Sequence, residues 1–228
     1  MTELGAALGE VRAGIAGACR RAGRDPSEIT LVAVSKTVPV EVVRAARDLG
    51  VADFGENRAG ELAAKSGAVP ATWHFIGTVQ TGTARKVADH GNVIHSAVPG
   101  RALERIADRA RRGGREIPCL LQVDFAGHRQ GVAPEDAAGS IRAIAGLVGL
   151  RLVGLMTLPP WTGDPEGARP YFARLRAIRD GLAGARPELR ELSMGMSDDY
   201  QVAIEEGATM VRVGTALFGD RPAVRAVR

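Results

Sequence analysis

Cysteine, lysine and aromatic residues are all scarce in this chain. Cys19 and Cys119 are the only cysteines in 228 residues, too few for a disulfide-stapled secreted module, and two free thiols point to the cytoplasm. No apolar run approaches the ~20 residues that cross a bilayer. The opening stretch MTELGAALGEVRAG lacks a basic flank followed by an apolar core, so neither a signal peptide nor a membrane anchor is expected. Phe, Trp and Tyr number 5, 2 and 2, which leaves little stacking surface for single-stranded nucleic acid. A glycine-rich phosphate loop of the G-x-G-x-x-G or Walker type is missing after the first apolar run, which ends in SKTVP.

What is present fits one soluble globular domain: 45% hydrophobic and 25% charged residues, 29 glycines and 12 prolines, with no low-complexity linker. The formal charge of +4 and the pI near 9.6 invite a nucleic-acid reading. Basic residues are interleaved with Glu and Asp, however, as in RALERIADRARRGGRE, so no nucleic-acid partner is expected. Of the 30 cations only Lys36, Lys65 and Lys86 are lysines. Lys65 and Lys86 lie in polar helical contexts and read as solvated surface charge.

Eight short apolar runs alternate with stretches of helical period. The runs are 30–35, 51–54, 73–76, 92–97, 119–124, 151–156, 190–194 and 209–213, and an extra helix over about 3–23 precedes them. This pattern predicts a single-domain parallel (β/α)8 barrel over residues 1–228, a TIM barrel of the α/β class, with an added N-terminal helix. In such a barrel the working residues follow the strands, so the ends of the runs are the places to read.

Lys36 shares the parity of Val32 and Val34 and so points to the barrel centre. Burial disfavours an ammonium there, and a neutral amine forms a Schiff base with an aldehyde; the plainer reading is a strand-end lysine paired with Glu56. The turns after the last two strands form the recurrent phosphate corner of a barrel. There the backbone N–H groups of Gly195, Gly214 and Thr215, with the hydroxyls of Ser197 and Thr215, can wrap an anion; alternatively Ser197 only caps a helix. Arg212 also has inward parity. An amine, an anion cradle and a guanidinium on one centre suit an aldehyde-bearing phosphate ester. Pyridoxal 5′-phosphate fits, with a class I aldolase on a sugar phosphate as runner-up, and an Arg partner for a pyridine nitrogen favours the former. His74 reads as a hydrogen-bonded core residue, while His90, His95 and His128 show no metal-ligand spacing.

Six motifs in order, LVAVSKT, DFGEN, WHFIG with a following Gln80, GLMT, LSMGMSDDY and ATMVRVGTALFGDR, resemble the pyridoxal-phosphate homeostasis protein family over essentially the whole chain. The resemblance implies the barrel of the alanine racemase N-terminal domain, with pyridoxal phosphate carried on Lys36 as a Schiff base. It implies Ser197, Gly214 and Thr215 at the phosphate, Arg212 facing the pyridine nitrogen, and Asn57 and Met156 lining the ring pocket. It further implies maintenance of intracellular vitamin B6 without substantial catalysis, and apo pyridoxal-phosphate enzymes as recipients. Val38, the TGTARK stretch after Gln80, and Arg129 stand where relatives often carry lysines, so secondary cofactor binding through those lysines is not expected.

A racemase of this fold needs an acid/base group on each face of the cofactor and a second domain that closes over the substrate. The chain ends at Arg228, soon after Thr215, so no such domain is expected. The expectation is a monomeric, non-catalytic cofactor carrier. The alternative is a racemase-like enzyme of low activity, for which Tyr200 is the only tyrosine near the site.

Overall fold

Eight parallel strands, hydrogen-bonded in chain order and closed by pairing of the first with the last, form the centre of the computed structural model, which describes residues 2–127 and 130–219. They are β1 (Thr30–Val34), β2 (Asp53–Glu56), β3 (Thr72–Phe75), β4 (Val93–Ala97), β5 (Ile117–Val123), β6 (Leu150–Thr157), β7 (Glu191–Ser193) and β8 (Met210–Val213). Helix α1 (Glu3–Ala22) precedes them. A helix follows each strand in turn: α2 (Val40–Asp48), α3 (Ala59–Ala68), α4 (Ala84–His90), α5 (Arg101–Arg112), α6 (Ala137–Ala145), α7 (Arg169–Leu182), α8 (Tyr200–Glu205) and α9 (Thr215–Phe218). The expected barrel with its extra N-terminal helix is therefore present.

Local chemistry explains these elements. Thr2 caps α1 by accepting the Gly5 N–H, and Gly23 ends it with a φ of 64°, which a side chain would oppose. Helix α5 buries Leu103, Ile106, Ala107 and Ala110 at three- and four-residue spacing and turns its arginines outward. The run expected at 51–54 becomes a strand only from Asp53, because the Val51 N–H still donates to the Ala46 carbonyl at the end of α2. Among the described residues no helix is long and apolar enough to cross a membrane.

Strand alternation divides the apolar residues into two cores. Ile117, Cys119, Leu121 and Val123 of β5 join the large core between strands and helices, whereas Leu120 faces the lumen. Leu120, Val153 and Met156 form a small separate cluster there, flanked by Val93, Leu158 and Met210. A register shift between β5 and β6 at Cys119/Leu120 explains how Val153 and Met156, three residues apart, share it. This plug fills part of the lumen and leaves a cavity above it.

Candidate functional site

A cavity of about 1010 Å³ lies at the C-terminal ends of the strands. Lys36, Asn57, Ser197, Arg212, Gly214 and Thr215 all line it. Met156 does not. It is fully buried in the lumen cluster with Leu120 and Val153, and Leu158 takes a place in the wall. Gly77 lets the ends of β2 and β3 approach, since a Cβ there would sit 2.1 Å from the Asn57 carbonyl oxygen.

The loop carrying Lys36 is clamped from the helix side. Lys65 Nζ donates to the Ser35 carbonyl at 2.6 Å, to Glu56 Oε1 at 2.7 Å and to Glu61 Oε2 at 2.9 Å. Ser35 Oγ donates to the same Glu56 oxygen at 2.7 Å, and the Thr37 N–H donates to Glu61 Oε2 at 2.7 Å. Thr37 has a φ of 64°, a strained value for a β-branched residue, and these bonds hold it there. Lys65 is thus buried, which corrects its reading as a solvated surface charge. The available signal was periodicity, because Ala59, Leu62 and Lys65 recur every third residue on the buried face of α3. Burial pushes the Glu56 carboxyl above its ordinary range, with Lys65 and Ser35 opposing, and its Oε2 has no hydrogen-bond partner among the described residues. Burial also raises Glu61, but the Thr37 N–H and Lys65 outweigh it and leave the carboxyl below its usual value. Lys86 is exposed, as expected.

On the opposite wall, Ser197 Oγ accepts the N–H groups of Gly214 at 3.2 Å and Ala216 at 3.3 Å. The hydroxyl and these amides therefore converge on one turn suited to an anion. Ser197 does not cap α8: Asp199 occupies that place and accepts the Met196 N–H at 2.6 Å. Burial pushes the Asp199 carboxyl up, opposed by the Met196 N–H and the charge of Arg212. Gly195 is not among the lining residues, so its expected part in the cradle gives way to the Ala216 amide. Its φ of 91° and the 2.6 Å that would separate a Cβ from Ala203 show a packing role.

Arg212 forms part of the cavity wall although it is only 3% exposed. Its guanidinium donates to Ser193 Oγ and, at 2.9 Å, to the Thr157 carbonyl. Burial pushes it down to about 10, with Asp199 opposing, so it stays charged at neutral pH. His74 is the expected core residue, bonded to Asp53 and His95. His90 meets Ser66 Oγ at 3.0 Å. His128 and Arg129 lie outside the described residues. Among those described, no group of three or more His, Cys, Asp or Glu side chains suits a metal ion. Tyr200 is buried against α1, where a Cβ on Gly14 would lie 2.0 Å from its hydroxyl oxygen.

Comparisons with known proteins agree with this fold. The sequence profile of the alanine racemase N-terminal domain matches residues 8–222. A pyridoxal phosphate homeostasis protein of Pseudomonas aeruginosa is 40% identical, with 97% of each chain covered. That of Escherichia coli is 37% identical, covering 97% of this chain and 98% of its own. PipY of Synechococcus elongatus, solved with pyridoxal phosphate bound, is 33% identical over 95% of this chain and 100% of its own, with a TM-score of 0.84. An alanine racemase of Clostridium difficile is 18% identical with a TM-score of 0.71, covering 86% of this chain and 54% of its own, a likeness of fold. By these matches the chain belongs to the pyridoxal phosphate homeostasis protein family.

Proposed function

We propose that this protein is a cytoplasmic carrier that holds pyridoxal 5′-phosphate in the cavity, attached through Lys36 as a Schiff base, and so maintains the free cofactor pool without substantial catalysis. The observation that carries the reading is the convergence of Lys36, Arg212 and the Ser197–Gly214–Thr215 turn on one cavity. The residues fit the group: an amine for its aldehyde, backbone amides and two hydroxyls for its phosphate, and a guanidinium for its ring nitrogen. Bound PipY supports the same cofactor for a protein of this fold and family. When bound, the cofactor supplies an aldehyde that condenses with an amine and a ring that stabilises negative charge.

The chain's own residues favour holding over turnover. Arg212 stays protonated, so a pyridine nitrogen held beside it would carry no proton and the ring would be a weaker electron sink. Among the described lining residues the ionisable side chains are Lys36, Arg58, Asp198 and Arg212, with no tyrosine, cysteine or histidine. A racemase needs a proton donor and acceptor on opposite faces, and Tyr200 faces α1 instead. Asn57 and Thr215 sit at the exposed rim, where a partner amine or apo enzyme can reach the cofactor.

Mixing the loaded protein with an apo pyridoxal-phosphate enzyme tests this reading. The expected result is stoichiometric gain of activity by the recipient, with no exchange of amino-acid α-protons into deuterated water at a catalytic rate. Sustained racemisation or transamination, lost in Lys36→Ala, would establish an enzyme instead.

A further inference from the structure

Five polar side chains from β2, β3, β4, β7 and β8 form an unbroken chain through the barrel. Asp53 Oδ1 lies 2.9 Å from His74 Nε2, His74 Nδ1 lies 2.8 Å from His95 Nε2, and His95 Nδ1 lies 2.7 Å from Ser193 Oγ. Ser193 Oγ then receives an N–H of Arg212. His74, His95, Ser193 and Arg212 are each at most 3% exposed, whereas Asp53 also borders a smaller cavity that Arg12 and Gly50 line. The chain thus runs from a half-buried carboxylate to the wall of the cofactor cavity.

Its direction follows from the chemistry of its two ends. A guanidinium only donates, and a carboxylate only accepts. His74 therefore carries its proton on Nε2 and donates to Asp53. With both imidazoles neutral, His74 Nδ1 accepts from His95 Nε2–H, and His95 Nδ1 accepts the Ser193 hydroxyl proton. Ser193 then offers its lone pairs to Arg212. The other arrangement needs an extra proton on the histidine pair, beside the buried charge of Arg212. Burial, His74 and Arg212 together hold His95 well below the usual imidazole range, which keeps a second proton off that ring. Among the described residues no carboxylate lies within ion-pair distance of Arg212, so this polarised chain is its directly bonded link to a negative group.

We propose that Asp53, His74, His95 and Ser193 are positioning residues that hold the Arg212 guanidinium as a fixed hydrogen-bond donor in the cavity wall. Two of its five N–H donors are spent on Ser193 and Thr157, which fixes the plane of the guanidinium and directs the others. The inference rests on the reading of the cavity as a pyridoxal-phosphate site with Arg212 at the ring nitrogen.

Side-chain nitrogen NMR on labelled protein without cofactor, at pH 7, tests the chain directly. The expected spectrum shows neutral His74 and His95, both protonated on Nε2. A proton on Nδ1 of either ring, or an imidazolium at His95, overturns the proposal. Ser193→Ala and Asp53→Asn are then loaded with pyridoxal phosphate. In folded Ser193→Ala the absorbance band of the bound cofactor shifts and affinity falls by about tenfold, as for loss of a hydrogen bond to a charged group. Asp53→Asn keeps an acceptor but removes the charge, and shifts the band the same way by less. If Ser193→Ala does not fold, the Asp53→Asn band decides. An unshifted band in the folded variants overturns the proposal. Wild-type protein that takes up no pyridoxal phosphate would refute the cofactor reading instead, while the tautomers still report on the chain.

Discussion

Lys65 Nζ lies 2.6 Å from the carbonyl oxygen of Ser35, the residue immediately before Lys36. Buried Lys65 thereby holds the backbone beneath the partly buried Lys36. The same ammonium neutralises Glu56, which is fully buried, and Glu61, which grips the amide of Thr37 on the far side of Lys36. A clamp on both flanks limits the motion of Lys36, as its proposed role in attaching the cofactor requires.

Lys65→Met is therefore expected to destabilise the fold by about 3–5 kcal/mol, the cost of leaving a buried charge uncompensated. Lys86→Met, at an exposed site, stays within about 0.5 kcal/mol. Denaturant titration compares them. The pH dependence has a definite sign. A carboxyl raised above its ordinary 4.5 binds a proton in the folded state that the unfolded chain has released, so its contribution falls as pH rises above 4.5 and recovers on acidification. Without Lys65 this slope for Glu56 steepens, and the gap between variant and wild type narrows towards pH 4.5.

Lys36→Ala is expected to fold normally and to lose all cofactor that borohydride can fix. Reduction of the loaded wild type, followed by peptide mapping, places the label on Lys36. A full reducible absorbance band in the variant would assign the linkage to another amine.

Ser197→Ala and Thr215→Val each remove a hydroxyl from the anion turn. Each is expected to weaken retention of pyridoxal phosphate by roughly ten- to a hundredfold, equivalent to about 1.5–3 kcal/mol for a hydrogen bond to a charged group. Melting temperature changes little, since both side chains are at least partly exposed. Equal affinity for pyridoxal and its phosphate ester would show that the turn holds no phosphate.

Gly14→Ala would push a methyl to 2.0 Å from the Tyr200 hydroxyl, an overlap that α1 and α8 must relieve by moving apart. The expected cost is about 1–3 kcal/mol. Tyr200→Phe in the same chain removes the clashing oxygen and restores part of it. Cofactor loading is unchanged in Tyr200→Phe, because the ring packs on α1; loss of loading would return this tyrosine to the site.

Much of this was legible in the residues. Strand order, the leading helix, and the places of Lys36 and Arg212 follow from period-two and period-three-to-four patterns, because side-chain direction along one strand or helix is a local property. Gly214 and the hydroxyls of Ser197 and Thr215 pointed to an anion site by residue type alone, and all three line the cavity. What meets what across the lumen is a different matter. Asp53, His74, His95 and Ser193 lie on four strands, and only closure and stagger of the barrel bring His95 of β4 to Ser193 of β7. Met156 had the right residue type for a ring contact, but the register shift beside β6 seated it in the lumen plug. Lys65 looked solvated because its neighbours in sequence are polar, whereas its fate depended on Glu56 and the Ser35 carbonyl, 9 and 30 residues away. Local patterning determined which elements form and which way they face. Long-range register decided which charges are buried together, since that depends on how strands from distant parts of the chain align.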